Sequence, residues 1–409
     1  MPTAGRAWEP DRGRLRKIWQ ASTGVTEVTP VFSSRTLSGR CGGEIRLKAE
    51  NLQRTGSFKL RGTAAKLRSF GASPLGVVAG SAGNHGQALA YAARKKGVPC
   101  TIFVPAEAAT SKVEAVKAFG AAVRIGGKTV DDCVVAAKEL AAREDLHFVH
   151  PFDDLEVIEG QAGVGIELTE QVADLARVIV PVGGGGLISG IAGWLAVARP
   201  DVEVVGVQAS GCATIRPSIA AGRPIAVDRP TTIADGIAVK GPGDLTLGLI
   251  ERWVDEFVDV DDNAIAAAMV LLVERSKLVA EGAGAAAVAA LLTGAVDPAP
   301  GGTTVAVVSG GNVDAGVLAT VIDRSQTRSG RRRRMFTKIK DRPGTLAQLL
   351  GAVADADGNV IDLTHVRGGI PLQIDETGVE MLIECRTSEA AEVLHDRLRA
   401  AGYPMSDFE

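Results

Sequence analysis

Six short runs rich in Val, Ile and Ala recur between residues 76 and 308, and they set the fold class. They are Gly76–Ala79, Thr101–Val104, Val123–Ile125, Val178–Val182, Val202–Val207 and Val305–Val308. Several are continuous rather than alternating, the pattern of strands covered on both faces of a parallel sheet. Helical stretches lie between them, at Gly86–Lys95, Ser111–Ala118, Val130–Ala142, Gly186–Ala198 and Asn263–Lys277. This alternation predicts an α/β fold with a wound, mostly parallel sheet. At roughly 150 residues per domain, the 409 residues allow two or three domains.

Composition removes several function classes. Apolar residues at 46% and charged residues at 23% exclude a disordered chain. The net charge of −3 gives no global basic field, so no nucleic acid is expected as partner. Aromatics at 4% offer no stacking platform for single strands. The five cysteines, Cys41, Cys100, Cys133, Cys212 and Cys385, are scattered without C-x-x-C spacing, and the histidines lack metal-ligand spacing. Neither a disulfide framework nor a zinc site is expected, and reduced thiols point to a cytoplasmic protein. The charged start of the chain has no signal-peptide core. The longest apolar stretch, Gly282–Val296, has 15 residues, too few to span a bilayer, so no membrane partner is expected. Residues 1–25 carry no strong pattern and are read as a segment wrapping a neighbouring surface.

Composition shifts near Arg324–Arg334, where Ser325, Ser329 and Gly330 precede four arginines, Arg331–Arg334. A basic run of this kind serves as a nucleic-acid signal or a solvated linker. In a near-neutral chain the linker is the better reading. The organisation expected is therefore 1–323 as a two-lobed domain, 324–334 as a basic linker and 335–409 as a small second domain. In the tail, Met335–Lys340, Asn359–Val366 and Val379–Cys385 read as strands. Thr345–Ala354 and Ser388–Ala400 read as helices, and a last short strand follows Gly402. That order is βαββαβ, a ferredoxin-like pattern.

Four local constellations carry chemistry. Glu50–Gly62 contains Ser57-Phe58-Lys59-Leu60-Arg61-Gly62. A lone lysine is usually a surface residue, but Lys59 between Phe58 and Leu60 is expected to be partly enclosed. Desolvation lowers a lysine pKa and makes the amine a nucleophile toward carbonyls. Gly80-Ser81-Ala82-Gly83-Asn84-His85-Gly86-Gln87 joins a strand to a helix, where N–H groups attract an anion. Taken alone it is equally a tight turn. Gly183-Gly184-Gly185-Gly186 follows a strand, and four glycines cost more backbone entropy than a plain turn needs. The run suits a phosphate monoester, although neither Walker nor dinucleotide spacing is present. Ser309-Gly310-Gly311-Asn312 ends another strand, where Ser309 either caps a helix or meets a ring heteroatom. A lysine for an aldehyde, a loop for a phosphate and a serine at a strand end suit pyridoxal 5'-phosphate.

The four motifs, in this order, resemble those of the fold-type II pyridoxal-phosphate enzymes, and most of all the threonine dehydratases (threonine ammonia-lyases), over roughly residues 25–325. The tail resembles an ACT-like regulatory domain through Asp341-Arg342-Pro343-Gly344-Thr345-Leu346 and Gly358-Asn359-Val360. The resemblance implies a tryptophan synthase β-like catalytic domain of two wound parallel-sheet lobes, plus a small α+β ferredoxin-like ACT domain. It implies that Lys59 holds the cofactor as a Schiff base and Phe58 packs near its ring. Asn84 would meet the ring O3′, Gly183, Gly184, Gly185 and Gly186 the phosphate, and Ser309 the pyridine nitrogen. Backbone amides over Ser81, Ala82, Gly83, Asn84 and His85 would take the substrate carboxylate, and Gly282–Gly284 would line the far wall.

Two departures refine the expectation. Serine racemases carry a second, acid/base serine in the Ser-x-Gly-Asn-His-Gly loop, where this chain has Ala82, so elimination is expected over racemisation. Their cation loop is carboxylate-rich, whereas Gln208–Thr214 holds no carboxylate, so no divalent metal is expected there. The activity implied is β-elimination of L-threonine to 2-oxobutanoate and ammonia, with L-serine to pyruvate alongside it. Freed Lys59 would remove the α-proton, and the cofactor phosphate would protonate the leaving hydroxyl. A serine or 3-hydroxyaspartate ammonia-lyase shares all four motifs. A ligand sensor on a dead scaffold is opposed by the intact Lys59. The ACT-like tail implies an amino-acid effector, isoleucine or valine in a biosynthetic role, and a homodimer or homotetramer.

Overall fold

The computed structural model describes residues 8–71, 75–369 and 371–407. Chain contacts divide it between Ala315 and Gly316. The first unit holds two sheets. The larger runs, in spatial order, Val31–Ser33, Ile45–Ala49, Thr303–Val308, Leu175–Pro181, Glu203–Ala209 and Glu256–Val260. Only Val31–Ser33 is antiparallel to its neighbour. The smaller is parallel throughout, in the order Ala122–Gly127, Cys100–Pro105, Val77–Gly80 and His147–Phe148. The expected pair of wound parallel lobes is therefore present.

The continuous apolar runs are central, as their pattern requires. Val178, Val180, Val305 and Val307 are fully buried and pack with Ile188, Ile191, Trp194 and Leu168. Each such side chain contributes about 1.5–3 kcal/mol on burial. Val123–Ile125 differs because it belongs to an edge strand, and Ile125 stays exposed.

Several elements escape the sequence pattern. Ile45–Ala49 and Glu256–Val260 are strands, while Lys59–Ser69, Leu155–Gln171 and Gly282–Leu292 are helices. The helix expected over Asn263–Lys277 is α-helical only from Asp262 to Leu271, then widens to a π-turn over Leu272–Ser276.

Residues 8–29 wrap part of their own unit. Helix Arg12–Ala21 packs on helix Leu155–Gln171. Trp8 Nε1 and Arg14 Nη2 donate to the buried Glu159 at 3.1 and 2.8 Å. Trp19 Nε1 donates to the buried Glu167 at 3.1 Å. Glu167 also receives Lys48 Nζ at 2.6 Å and Arg61 Nη1 at 2.6 Å. Arg61 Nε reaches Glu50 at 2.7 Å, so two buried cations meet two buried carboxylates. Glu50 and Glu167 hold the Arg61 guanidinium protonated against the desolvation that opposes its charge.

The second unit has the expected βαββαβ order, with sheet order Asn359–Val366, Glu376–Glu384, Arg332–Lys340 and Ser406–Asp407. All its neighbours are antiparallel, and helices Thr345–Asp355 and Ser388–Ala400 complete it. Met335, Val379, Met381, Ile383, Leu349 and Leu394 form its core. The basic segment departs from the linker reading. Residues 315–328 are helical, and Arg332, Arg333 and Arg334 lie in a strand. Arg332 pairs with Asp323 and Glu384, Arg333 with Glu392, and Arg334 with Glu380. Carboxylates of the neighbouring strand, Glu380 and Glu384, and of the two helices, Asp323 and Glu392, pair with the run within the second unit.

Candidate active site

The carboxyl ends of the parallel strands open into one cavity of about 910 Å³. Crevices of this kind at strand ends are where open α/β sheets bind ligands. Phe58, Lys59, Ser81–His85, Gly183–Gly186 and Ser309 all line it. Residues from all four motifs are thus brought to one place. Gly282–Gly284 contributes only Ala283 to the lining, because Gly284 turns toward Gly310, whose carbonyl a Cβ there would meet at 2.1 Å.

Lys59 starts its helix, and backbone bonds fix where that start lies. Phe58 N donates to Ser309 O at 3.1 Å, and Gly311 N to Gly56 O at 2.9 Å. The lysine motif and the serine motif are therefore zipped together. Lys59 Nζ donates to Pro151 O at 2.7 Å. Desolvation lowers its pKa from 10.5 to about 8, and the Glu281 carboxylate opposes the fall. A neutral amine is accessible near neutral pH.

The glycine run turns from strand Leu175–Pro181 into helix Gly186–Ala198. Gly185 has φ 96°, a left-handed conformation that favours glycine. At Gly184 a Cβ would lie 2.4 Å from Phe152 Cδ2. Thr246 Oγ1 donates to Gly184 O at 2.7 Å and holds the loop from behind. The N–H groups of Gly183, Gly184 and Gly185 donate to no acceptor among the described residues. Free N–H groups at a helix start fit a phosphate.

The Ser81 loop is more selective than its sequence. Ser81 N donates to Phe103 O at 2.9 Å, and Gly83 N to Ser81 Oγ at 3.2 Å. Those two amides are already used, which leaves Ala82, Asn84 and His85 to offer N–H groups to a carboxylate. His85 itself is buried, with Nε2 bonded to Val149 O at 2.9 Å. Burial, helped by the nearby Lys59, lowers its pKa to about 3, so the ring is neutral. Ser309 is 3% exposed, and its Oγ lies 3.4 Å from Ala283 O.

Four contributors were not foreseen. His150 lines the cavity, accepts Asp153 N at Nδ1 at 2.8 Å, and is pushed by desolvation to about 4. Phe152 covers the glycine run. Glu281 accepts Asn84 Nδ2 at 2.6 Å, and Asn312 Nδ2 donates to Asn84 Oδ1 at 2.7 Å. No local motif marks His150, Phe152 or Glu281, because only folding brings them to the cavity. Asn312 stands inside a motif, but its contact with Asn84 crosses 228 residues of sequence.

The family model for pyridoxal-phosphate dependent enzymes matches residues 23–310. The chain belongs to that family. The L-threonine ammonia-lyase of Thermotoga maritima is 41% identical over 391 residues, covering 95% of this chain and 97% of that protein. Maize serine racemase is similar in structure, with a TM-score of 0.73 and 32% identity, covering 78% of this chain and 99% of that one. The processed threonine deaminase isoform 2 of Solanum lycopersicum has a TM-score of 0.72 and 30% identity, covering 80% and 93%.

Pyridoxal phosphate, the cofactor of this family, fits the residues present. The free loop amides suit its phosphate, and the desolvated amine suits its aldehyde. Gly184→Ala tests the loop. The added Cβ forces Phe152 or the loop to move, a strain of about 1–3 kcal/mol. Cofactor retained after dialysis, read by visible absorbance, is expected to fall at least tenfold while the far-UV spectrum is unchanged.

Proposed function

We propose that the chain is a threonine ammonia-lyase, converting L-threonine to 2-oxobutanoate and ammonia, with L-serine as a second substrate. The observation that carries this reading is Lys59 sharing one cavity with the glycine run while Ala82 occupies the loop beside it. The 41% identity to an L-threonine ammonia-lyase along nearly the whole chain supports it.

Gly183–Gly186 would hold the phosphate, Ser309 the ring nitrogen, Asn84 the ring O3′, and Phe58 the ring's surroundings. When bound, the cofactor supplies a carbonyl that condenses with amines and a ring that accepts the electron pair left by the α-proton. The chain supplies the rest. The amides of Ala82, Asn84 and His85 orient the substrate carboxylate at the start of helix Asn84–Lys96. Lys59 Nζ takes the α-proton, and its lowered pKa suits a base working near neutrality. Ser309, a neutral hydroxyl, does not enforce a protonated ring nitrogen, which favours elimination over transamination. The side chain of Ala82 exchanges no proton, so it supplies no acid/base group for racemisation.

Lys112, Lys240 and Arg229 line the cavity beside Lys59. Lys112 pairs with Asp235 at 2.9 Å and Lys240 with Asp131 at 2.7 Å. The 41% identity to an L-threonine ammonia-lyase favours threonine over 3-hydroxyaspartate. The test is a substrate panel on the purified holoenzyme. 2-Oxobutanoate from L-threonine, pyruvate from L-serine and no D-serine are expected. Turnover of 3-hydroxyaspartate alone, or formation of D-serine, would overturn the reading. The ferredoxin-like second unit is assigned an ACT-type role, binding an amino-acid effector between paired chains. It acts only if the effector binds two states with different affinity.

A further inference from the structure

The inner cavity contains a carboxylate that the reaction above does not use. Glu281 Oε1 accepts Asn84 Nδ2 at 2.6 Å. Asn84 Oδ1 in turn accepts Asn312 Nδ2 at 2.7 Å, and Asn312 Nδ2 also donates to Thr55 O at 2.8 Å. The backbone fixes both ends. Glu281 N donates to Gly310 O at 3.1 Å, beside the strand end that carries Ser309. Its carboxylate is seated against two glycines: a Cβ at Gly310 would lie 2.4 Å from Glu281 Oε1, and one at Gly236 would lie 3.1 Å from it.

The direction of this relay matters. An asparagine amide can turn over, exchanging N–H donors for a carbonyl acceptor. An ionised carboxylate only accepts. The Asn312 amide group that faces Asn84 is already committed as a donor to Thr55 O, so it also acts as a donor. An acceptor at one end and a donor at the other permit a single orientation of the amide between them. In that orientation Asn84 Nδ2 keeps one N–H beyond the bond to Glu281, and its Oδ1 is engaged.

We propose that Glu281 is a positioning residue that, with Asn312, locks the Asn84 amide so that it presents an N–H toward the cofactor ring. This rests on the cofactor reading above. It assigns Glu281 no contact with the reacting atoms. The carboxyl also titrates in a useful range. Desolvation raises its pKa to about 7, against the bond from Asn84 and the nearby Lys112 and Lys59, with Asp235 adding to the rise. The ionised carboxylate only accepts and completes the lock, whereas the protonated acid keeps a carbonyl acceptor for Asn84 but loses the charge that strengthens the bond.

The test uses full-length wild type, Glu281→Gln, Glu281→Ala and Asn312→Asp. Cofactor dissociation constants are measured by reconstituting cofactor-free protein, and the visible absorbance of the bound cofactor is titrated with pH. Thermal unfolding of each cofactor-free variant checks the fold. Loss of a bond to a charged acceptor predicts about tenfold weaker cofactor binding in Glu281→Ala. Asn312→Asp faces Asn84 with acceptors at both ends and is expected to weaken binding by at least as much. Glu281→Gln keeps an acceptor, so its affinity is expected within about threefold of wild type. It has no proton to lose, so the absorbance step near pH 7 is expected to vanish. A merely structural role would not remove that step while sparing affinity. Wild-type affinity and an unchanged step in Glu281→Ala and Glu281→Gln would overturn the proposal. If wild type itself takes up no cofactor, the cofactor reading fails instead.

Discussion

Replacing Lys59 by alanine is expected to lower 2-oxobutanoate release from threonine on the order of 10⁴-fold, the upper range for losing a positioned base. The covalent anchor goes with the base, so stopped-flow and steady-state assays with added cofactor are both needed. The pH dependence has a defined sign. The amine must be neutral to accept a proton, and its pKa is lowered to about 8 by desolvation. Turnover by wild type therefore rises with pH through that value. Stability moves in the same direction. Between about 8 and the ordinary 10.5, the unfolded chain holds a proton on Lys59 that the folded chain lacks. Stability of the cofactor-free wild type then rises with pH across this window, and Lys59→Ala removes the rise. The difference between the denaturation midpoints of wild type and variant should stop changing once the pH passes about 10.5. A residual activity within tenfold of wild type would remove Lys59 from the reaction.

This residue also shows what a sequence reveals. Lys59, the glycine run and Ser309 are legible because each sits in a short linear motif whose composition is costly without a ligand. Four successive glycines stand out in a sequence, although Phe152, Ile237 and Ile250 also leave no room for a Cβ there. Glu281 is not legible. Its neighbours read as an apolar stretch, and its partner Asn84 lies 197 residues away. The same holds in the fold. The Val/Ile runs revealed the sheets, because fully buried strands need no alternation. Helix Leu155–Gln171 was hidden by Gly160, Gly163 and Gly165, which look like helix breakers. Their purpose is contact. A Cβ at Gly160 would lie 2.6 Å from Arg61 O, and one at Gly165 would lie 3.0 Å from a Trp194 ring carbon. Close helix packing overrides propensity there. Arg332–Arg334 shows the reverse error, since a basic run reads as solvated until its carboxylate partners on the neighbouring strand and helices are seen.

Arg61 sits two residues from Lys59, and its replacement by alanine is expected to destabilise the first unit by about 3–5 kcal/mol. The guanidinium donates to Glu50 at 2.7 and 2.8 Å and to Glu167 at 2.6 and 2.8 Å. Glu50, Glu167, Lys48 and Arg61 are all essentially removed from solvent. Truncation strands two carboxylates opposite one remaining cation, Lys48, which bonds to Glu167 but to no oxygen of Glu50. Because whole-domain stabilities are about 5–15 kcal/mol, such a loss is a large share of the total. The cluster spans strand Ile45–Ala49, the helix that starts at Lys59, helix Leu155–Gln171 and the N-terminal segment through Trp19. It thus fixes the lysine helix against the rest of the unit. Urea denaturation of the cofactor-free protein measures the effect. Arg61→Lys keeps the charge but loses the two-pronged geometry, so an intermediate loss is expected. Adding Glu50→Gln to Arg61→Ala neutralises one stranded carboxylate, so the double variant should lose less than the sum of the singles. Strict additivity, or a loss under about 1 kcal/mol in Arg61→Ala, would mean that water reaches the cluster and that the lysine helix is held by its apolar packing instead.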